Sequence, residues 1–117
     1  MRVTVLCLAV CCSVMMWACK NNKPRGSLYL HASIDENNVH HPDTQSVPGA
    51  ARINCERAIG SPNPSTHPAG CQLTGPDGET LKTTPGPAEL VTKKAGNVML
   101  ECYGGAIPVY CDATARW

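Results

Sequence analysis

The feature that most constrains the fold is the position of four cysteines within segments where apolar and polar residues alternate. Each lies on the apolar side of its own alternation; they are Cys55, Cys71, Cys102 and Cys111. Successive side chains of a β-strand point to opposite faces of its sheet, so a period of two indicates strands with one buried face. Because each cysteine shares a strand face with the apolar residues of its segment, we predict that all four sulfur atoms point into one interior between two layers of strands.

The stretches between these segments are rich in residues that end regular structure. The residues from Gly75 to Gly78 predict a tight turn, because Pro76 fixes its own φ angle and Gly78 accepts a positive one. We expect this turn to close a hairpin with Glu79 to Thr83, and Gly104-Gly105 is a second predicted turn. Because no window shows the period of a useful amphipathic helix, we predict an all-β fold, a small disulfide-stapled β-sandwich.

The first residues of the chain have the layout of a secretory signal. Arg2 precedes an uncharged apolar run, Val3 to Trp17, which is shorter than the roughly 20 residues needed to span a bilayer. Ala18 is the small residue expected before a cleavage site, and Cys19 follows it, as in bacterial lipoproteins. We therefore predict a cleaved lipoprotein signal peptide over residues 1–18 and lipidation of Cys19.

Acyl chains on Cys19 would hold the protein on a membrane, because each buried methylene group contributes about 0.8 kcal/mol. Lys20, the next residue, favours the outer membrane, with the protein facing the periplasm or the exterior. Met16 and Trp17 depart from the usual residues of a lipoprotein signal. A plainly secreted protein and an uncleaved membrane anchor are therefore the alternatives.

The organisation of the chain changes near residue 49. Residues 19–48 are polar and lack a sustained period, which predicts a tether and a loop, with Ser27 to Ala32 as a candidate edge strand. The regular alternation begins only after Ala50. We therefore place the β-sandwich at residues 49–117, a length that suits one small domain.

An even number of cysteines in an exported chain indicates disulfides, and four cysteines allow three pairings. We expect Cys71–Cys102 to join the two central strands, which leaves Cys55–Cys111 to join the first strand to the last. A bridge of this kind would stabilise the domain by about 2–4 kcal/mol. Unpaired buried thiols are one alternative. A zinc site is the other, although it would require closely spaced cysteine pairs that the sequence lacks.

The composition of the chain restricts which partners it can bind and how large a hydrophobic core it can form. The predicted signal contains one basic residue, Arg2, so nine basic and nine acidic side chains remain after cleavage. A net charge near zero offers no surplus for phosphate contacts, and nucleic acid is not an expected partner. Phe is absent, so the core is thinly supplied and the disulfides are needed as staples.

Residues that could carry chemistry are present but do not form a recognisable motif. The densest group of potential metal ligands, His40 to Asp43, is interpreted as an exposed polar loop, because adjacent side chains in an extended loop diverge. No serine has the glycine-flanked context of a nucleophile elbow. The carboxylates form no evident pair and are expected at solvated, outward-facing positions; they include Glu56, Asp77, Glu79, Glu89, Glu101 and Asp112. We predict no enzyme activity, no metal site and no cofactor.

Two tyrosines near the end of the chain are open to two interpretations. Tyr103 and Tyr110 are candidates for a small aromatic surface that contacts a glycan or a peptide. Packing against neighbouring strands on the less buried face is the interpretation that we favour.

One region of the sequence resembles a family of small bacterial lipoproteins. The resemblance rests on Ala69 to Thr74, Gly78 to Thr80, Thr84 to Pro87 and Asn97 to Gly104, and it covers roughly residues 66–105. These segments are similar to lipoproteins with a PEGA-like domain. The resemblance implies a small β-sandwich related to carboxypeptidase-regulatory-like and transthyretin-like modules, and it supports the pairing Cys71–Cys102. Such modules serve in binding and spacing at the surface or in the periplasm, without a common activity.

Taken together, these features predict a non-enzymatic lipoprotein of the cell envelope. It would bind or support an envelope protein, through exposed strand edges or loops. The alternative is an anchored or secreted inhibitor of a periplasmic hydrolase, such as a lysozyme or a protease. In that case the proline-rich loop from Ser61 to Pro68, with His67 near its end, would dock into the enzyme, because a rigid loop loses little entropy on binding.

Overall fold

Alternating residues form strands throughout the described part of the chain. The structure is a computed structural model that describes residues 25–60 and 68–117, and within these ranges it contains nine strands and no helix. The strands are β1 (Ser27–Ile34), β2 (His40–His41), β3 (Asp43–Val47), β4 (Arg52–Ile59), β5 (Gly70–Thr74), β6 (Thr80–Thr83), β7 (Glu89–Val91), β8 (Gly96–Tyr103) and β9 (Val109–Arg116).

The strands build two antiparallel sheets. Sheet A has the order β2-β1-β9-β4-β7, and sheet B has the order β3-β8-β5-β6. The predicted all-β class and the small β-sandwich are therefore confirmed. Among the described residues, no helix has the length and apolar character needed to cross a membrane.

The sandwich begins earlier in the chain than the sequence indicates. All eight residues of β1 pair with β9 in sheet A, and β3 pairs with β8 in sheet B. Pro42 separates β2 from β3, at the point where the chain passes from one sheet to the other. The candidate strand from Ser27 to Ala32 is present as β1, whereas the loop predicted for the rest of the segment up to residue 48 is wrong, because it contains β2 and β3. Strand β3 escaped detection because Val47 is its only fully buried residue, so its sequence is almost entirely polar.

The core lies between the sheets and consists of aliphatic side chains and sulfur. Sheet A contributes Leu30 and Ile53, and sheet B contributes Leu73 and Leu100, all of them fully buried. The inward positions of β9 are small or β-branched; they are Val109, Cys111, Ala113 and Ala115. With no Phe in the chain, this small core depends on the disulfides that cross it.

Two disulfides connect the sheets, but in a different pairing from the predicted one. Cys55–Cys71 joins β4 to β5 with Cα atoms 5.9 Å apart, and Cys102–Cys111 joins β8 to β9 with Cα atoms 5.7 Å apart. The expected pairs Cys71–Cys102 and Cys55–Cys111 are wrong. Cys71 and Cys102 lie directly opposite each other within sheet B, so both sulfur atoms point across the core toward sheet A. Strand phase correctly predicts one interior but does not tell which sheet carries each cysteine.

The two predicted turns are present. Strands β5 and β6 form the expected hairpin, in which Gly75 N donates to Glu79 O at 2.8 Å and Gly78 has a φ angle of 79°. Gly104 and Gly105 lie between β8 and β9 with φ angles of 68° and 73°. Turn chemistry was thus readable from the local sequence.

Candidate functional site

The outward faces of the two sheets differ in chemistry. Six large hydrophobic side chains are exposed among the described residues, and four of them lie on the outward face of sheet A; these four are Tyr29, Ile59, Val91 and Tyr110. Outward positions on the edge strand of sheet B carry small polar groups such as Thr44 and Ser46. The outward face of sheet A is therefore the candidate functional surface.

A buried carboxylate lies at the centre of this face. Asp112 is in the middle of β9, between the inward-facing Cys111 and Ala113, so its side chain points outward. Its exposure is nevertheless only 2%. Asp112 lies opposite His31 of β1 on one side and opposite Arg57 of β4 on the other. These flanking side chains cover the carboxylate.

The contacts of this carboxylate are short and involve charged or ionisable groups. His31 Nδ1 donates to Asp112 Oδ1 at 2.5 Å, and Arg57 Nε donates to Asp112 Oδ2 at 2.7 Å. A second nitrogen of Arg57 is also 2.7 Å from Oδ2. The side chains of His31 and Arg57 are 51% and 58% exposed, against 3% for that of Asp112. One buried anion therefore holds two exposed groups in place.

Arg57 reaches Asp112 because β4 contains a β-bulge. The register between β4 and β9 shifts between Cys55 and Arg57, so that Glu56 is an extra residue. Strict alternation from the inward-facing Cys55 would point Arg57 into the core. The bulge instead leaves both Glu56 and Arg57 exposed and places Arg57 opposite Asp112.

Burial and hydrogen bonding act on the pKa of Asp112 in opposite directions. Desolvation is the largest influence and would raise the pKa of this carboxyl group. Hydrogen bonds from His31, Tyr29 and Arg57, together with the charge of Arg57, outweigh it and hold the pKa below 3.8. Asp112 is therefore a carboxylate at neutral pH.

Two tyrosines complete the site. Hydrogen bonding to Asp112 is the main cause that raises the pKa of Tyr29 above 10.0, followed by burial. The ring of Tyr110 stacks on that of His31, with centroids 6.3 Å apart and planes 19° apart. We call these five residues the Asp112 cluster: Asp112, His31, Arg57, Tyr29 and Tyr110.

The backbone beneath the cluster is held from the edge of the sheet. His31 N donates to Asp43 Oδ2 at 3.0 Å, and Gln45 Nε2 donates to Tyr29 O at 2.6 Å. Asp43 and Gln45 belong to β3 in the other sheet, so their side chains cap an edge of β1 that would otherwise lack partners. The cluster is therefore supported by rigid elements on both sides.

The arrangement orients two exposed side chains around one buried carboxylate. A carboxylate that accepts from His Nδ1 is the pairing that orients a general base. Within the described residues, however, no hydroxyl or thiol is hydrogen-bonded to His31 Nε2. Asp112 is also shared with Arg57, whose positive charge offsets part of what the carboxylate supplies to the imidazole.

The other residues singled out in the sequence do not join this site. His41 Nε2 pairs with Asp35 Oδ2 at 2.9 Å, whereas Asp43 contacts β1, so the side chains from His40 to Asp43 do not converge. No group of three or more His, Cys, Asp or Glu residues in the described ranges is arranged to hold a metal ion. Cys19, and the loop residues 61–67 with His67, lie outside the described residues.

The suggested joint surface of Tyr103 and Tyr110 is wrong, because the two rings lie on different sheets. Tyr103 is opposite Gly70 on sheet B, and Lys82 Nζ is 4.5 Å from its ring centroid. A Cβ atom on Gly70 would lie only 2.4 Å from the Tyr103 ring, so this ring covers the glycine. The favoured interpretation of Tyr103 as cross-strand packing is confirmed.

Sequence reasoning missed the centre of the site. Asp112 was expected to be solvated, and its outward direction is correct, but its burial is not. His31 and Asp112 are 81 residues apart in sequence, and only the pairing of the first long strand with the last brings them together. One sequence signal could have pointed to the site: Asp112 is the only acidic residue in the alternating segment from Ile107 to Trp117.

Comparison with protein-family models, curated protein sequences and solved structures finds no match to this chain. Its function is therefore inferred from the geometry of the site.

Proposed function

We propose that this protein is a non-enzymatic, lipid-anchored module of the cell envelope that binds an envelope protein through the outward face of sheet A. The observation that carries the proposal is the Asp112 cluster. A buried carboxylate fixes the positions of His31 and Arg57 while about half of each side chain remains exposed. Side chains held in place before binding lose little entropy when a partner docks.

The composition of this face suits a protein partner. Tyrosine and arginine are enriched among the residues that dominate protein–protein binding energies. Here Tyr29 and Tyr110 flank the site, and Arg57 lies at its centre. Aromatic rings have few rotatable bonds, so they provide contact area at low entropic cost.

The size of the face predicts a weak or transient interaction. Three eight-residue strands with the shorter β2 and β7, at about 4.8 Å between strands and about 3.3 Å per residue, give a face of roughly 450 Å². A standard interface buries about 800 Å² per partner, and transient encounters bury less. We therefore expect a micromolar or weaker complex that depends on the anchor for local concentration.

The proposed anchor keeps the module close to the membrane. With lipid on Cys19 and β1 beginning at Ser27, the connecting chain spans at most about 28 Å when fully extended. Residues 27–47 belong to the sandwich, so the proposed tether can extend only as far as Gly26. The Asp112 cluster lies about 13 Å further along β1, so the partner would present its binding site within about 40 Å of the outer membrane.

The resemblance to PEGA-like domains is kept as part of this proposal and concerns β5 to β8. The disulfide pairing that it implied is absent, so the support comes only from the turns and strands of that region. The hydrolase-inhibitor alternative depends on a loop of which residues 61–67 lie outside the described ranges, and it stays a prediction.

Two measurements test the proposal. The intact mass of the membrane-extracted protein should correspond to a chain that starts at Cys19 and carries acyl groups; an unmodified chain would contradict the anchor. The partner is tested separately by quantitative co-purification from crosslinked membranes. The double variant Tyr29→Ser/Tyr110→Ser should lose a protein that the control variant Met99→Ser, altered on the outward face of sheet B, retains. Equal recovery with both variants would contradict the assigned face.

A further inference from the structure

A second site lies at the end of sheet A, away from the Asp112 cluster. A cavity of about 450 Å³ opens where β4 begins and β9 ends. Its polar lining is formed by Arg52, Thr92 and Arg116, and its apolar lining includes Ala51, Val91 and Trp117. This volume falls in the usual range of small-molecule sites.

The two arginines are in an unfavourable arrangement without a ligand. Arg52 and Arg116 are directly opposite each other in the β4–β9 ladder, and like charges at such positions destabilise a sheet. Each has one acidic neighbour, with Arg52 3.7 Å from Glu89 and Arg116 3.4 Å from Glu56. These exposed pairs are long and contribute little. An anion between the guanidinium groups would relieve the repulsion.

The apolar wall of the cavity is fixed in position. Trp117 N donates to Gly26 O at 3.0 Å, and Gly26 N donates to Trp117 O at 3.1 Å. The indole ring lies against Gly26, since a Cβ atom there would be 2.6 Å from it. The ring also packs against the hydrophobic core. It can therefore contact a ligand without first becoming ordered.

We propose that this cavity binds a carboxylate carried on an apolar body. The carboxylate would lie between the two guanidinium groups and accept hydrogen bonds from both, and each guanidinium presents parallel N–H donors that suit a carboxylate. The apolar body would lie against Trp117 and Val91. Two sources present this chemistry: a small free acid, and the C-terminal carboxylate of a peptide that ends in an apolar residue. Arg52, Arg116 and Val91 lie at one end of the same outward face as the Asp112 cluster, but binding of the carboxylate does not require the proposed envelope function.

The test uses the chain after the predicted cleavage, residues 19–117, and N-acetyl-leucine as the probe, with N-acetyl-leucinamide as the matched uncharged compound. Trp117 is the one tryptophan in this part of the sequence, so ¹⁵N NMR should show a single indole signal that reports on the cavity. The Trp117 signal should shift with a dissociation constant on the order of 1 mM for the acid and hardly at all for the amide. An equal response to both would overturn the proposal, whether or not any variant folds.

Variants and peptides refine the result. Arg52→Gln and Arg116→Gln should each weaken binding of the acid about tenfold, whereas Lys94→Gln, which removes a charge elsewhere, should not. Unchanged affinity in both arginine variants would also overturn the proposal. A hexapeptide ending in leucine that binds at least tenfold more tightly than N-acetyl-leucine indicates a C-terminal ligand. Equal affinities indicate a small acid. Neither outcome depends on whether a protein binds at the Asp112 cluster.

Discussion

Removing the guanidinium group of Arg57 should destabilise the fold more than removing the charge of Asp112. In Arg57→Met, the carboxylate of Asp112 stays buried and loses the contacts at 2.7 Å, while it keeps the contact with His31. In Asp112→Asn the groups left without a charged partner are the exposed side chains of His31 and Arg57, which water can solvate.

The magnitudes follow from this asymmetry. Breaking a buried ion pair by removing one partner costs about 3–5 kcal/mol, and the remaining His31 places Arg57→Met near 3 kcal/mol. Asp112→Asn keeps a hydrogen-bond acceptor and loses only charge-assisted bonds to exposed groups. We therefore expect it to lower the free energy of unfolding by about 1–2 kcal/mol. The double variant should cost about 2 kcal/mol, less than the sum of the single changes. A loss of 3 kcal/mol corresponds to a Tm lower by about 12–24 °C for a domain of this size.

Urea unfolding at neutral pH measures these differences, with Arg116→Met as the control. Arg116 is an exposed arginine on the same face, so its loss should change stability by less than about 0.5 kcal/mol. Equal costs for Arg57→Met and Asp112→Asn, or costs that add in the double variant, would refute the reasoning.

The same carboxylate predicts a pH dependence. The pKa of Asp112 in the folded protein lies below 3.8, so its contribution is fully present above the unfolded value and is lost as the pH falls through the folded pKa. The stability difference between the wild type and Asp112→Asn should therefore shrink below about pH 3.8. A difference that stays constant down to pH 2 would contradict this assignment.

Three further changes follow from the fold. Peptide mapping of the unreduced protein should recover the disulfides Cys55–Cys71 and Cys102–Cys111, and a peptide pair linked through Cys71 and Cys102 would contradict this pairing. Removing either disulfide should lower the free energy of unfolding, measured in urea, by about 3 kcal/mol. Gly70→Ala should cost about 1–3 kcal/mol, because its Cβ would meet the Tyr103 ring, and less in a Tyr103→Ala background; equal costs would rule out this contact. Gly104→Ala should lower the free energy of unfolding by about 2 kcal/mol, because it combines a positive φ angle with a Cβ atom 2.5 Å from the Pro68 carbonyl oxygen. The control Gly49→Ala, where a Cβ atom has open space, should lower it by under 0.5 kcal/mol, and similar values for both variants would contradict the turn.

The parts of the fold that were predictable depend on local chemistry. Gly78 and the paired glycines 104 and 105 specify turns through their own backbone freedom, and the alternation around Cys55 or Cys102 specifies one buried face. These signals need no knowledge of which strands are neighbours. They were sufficient for the all-β class and for a common interior of the four cysteines.

The unpredicted parts depend on long-range pairing. Cys71 and Cys102 look like natural partners until their strands are known to be neighbours in one sheet. Arg57 appears to face the core until the bulge at Glu56 is known, and Asp112 appears solvated until β1 and β4 are known to flank it. Each case requires the strand order, which connects residues up to 81 positions apart.

The central claim, that the outward face of sheet A is the binding surface, is tested most directly by site-specific photo-crosslinking in living cells. The variant Tyr110→p-benzoylphenylalanine places the crosslinker beside the Asp112 cluster, and Thr44→p-benzoylphenylalanine places it on the outward face of sheet B. We expect one discrete protein adduct from position 110 and none from position 44. Adducts of equal yield from both positions, or an adduct from position 44 alone, would contradict the claim.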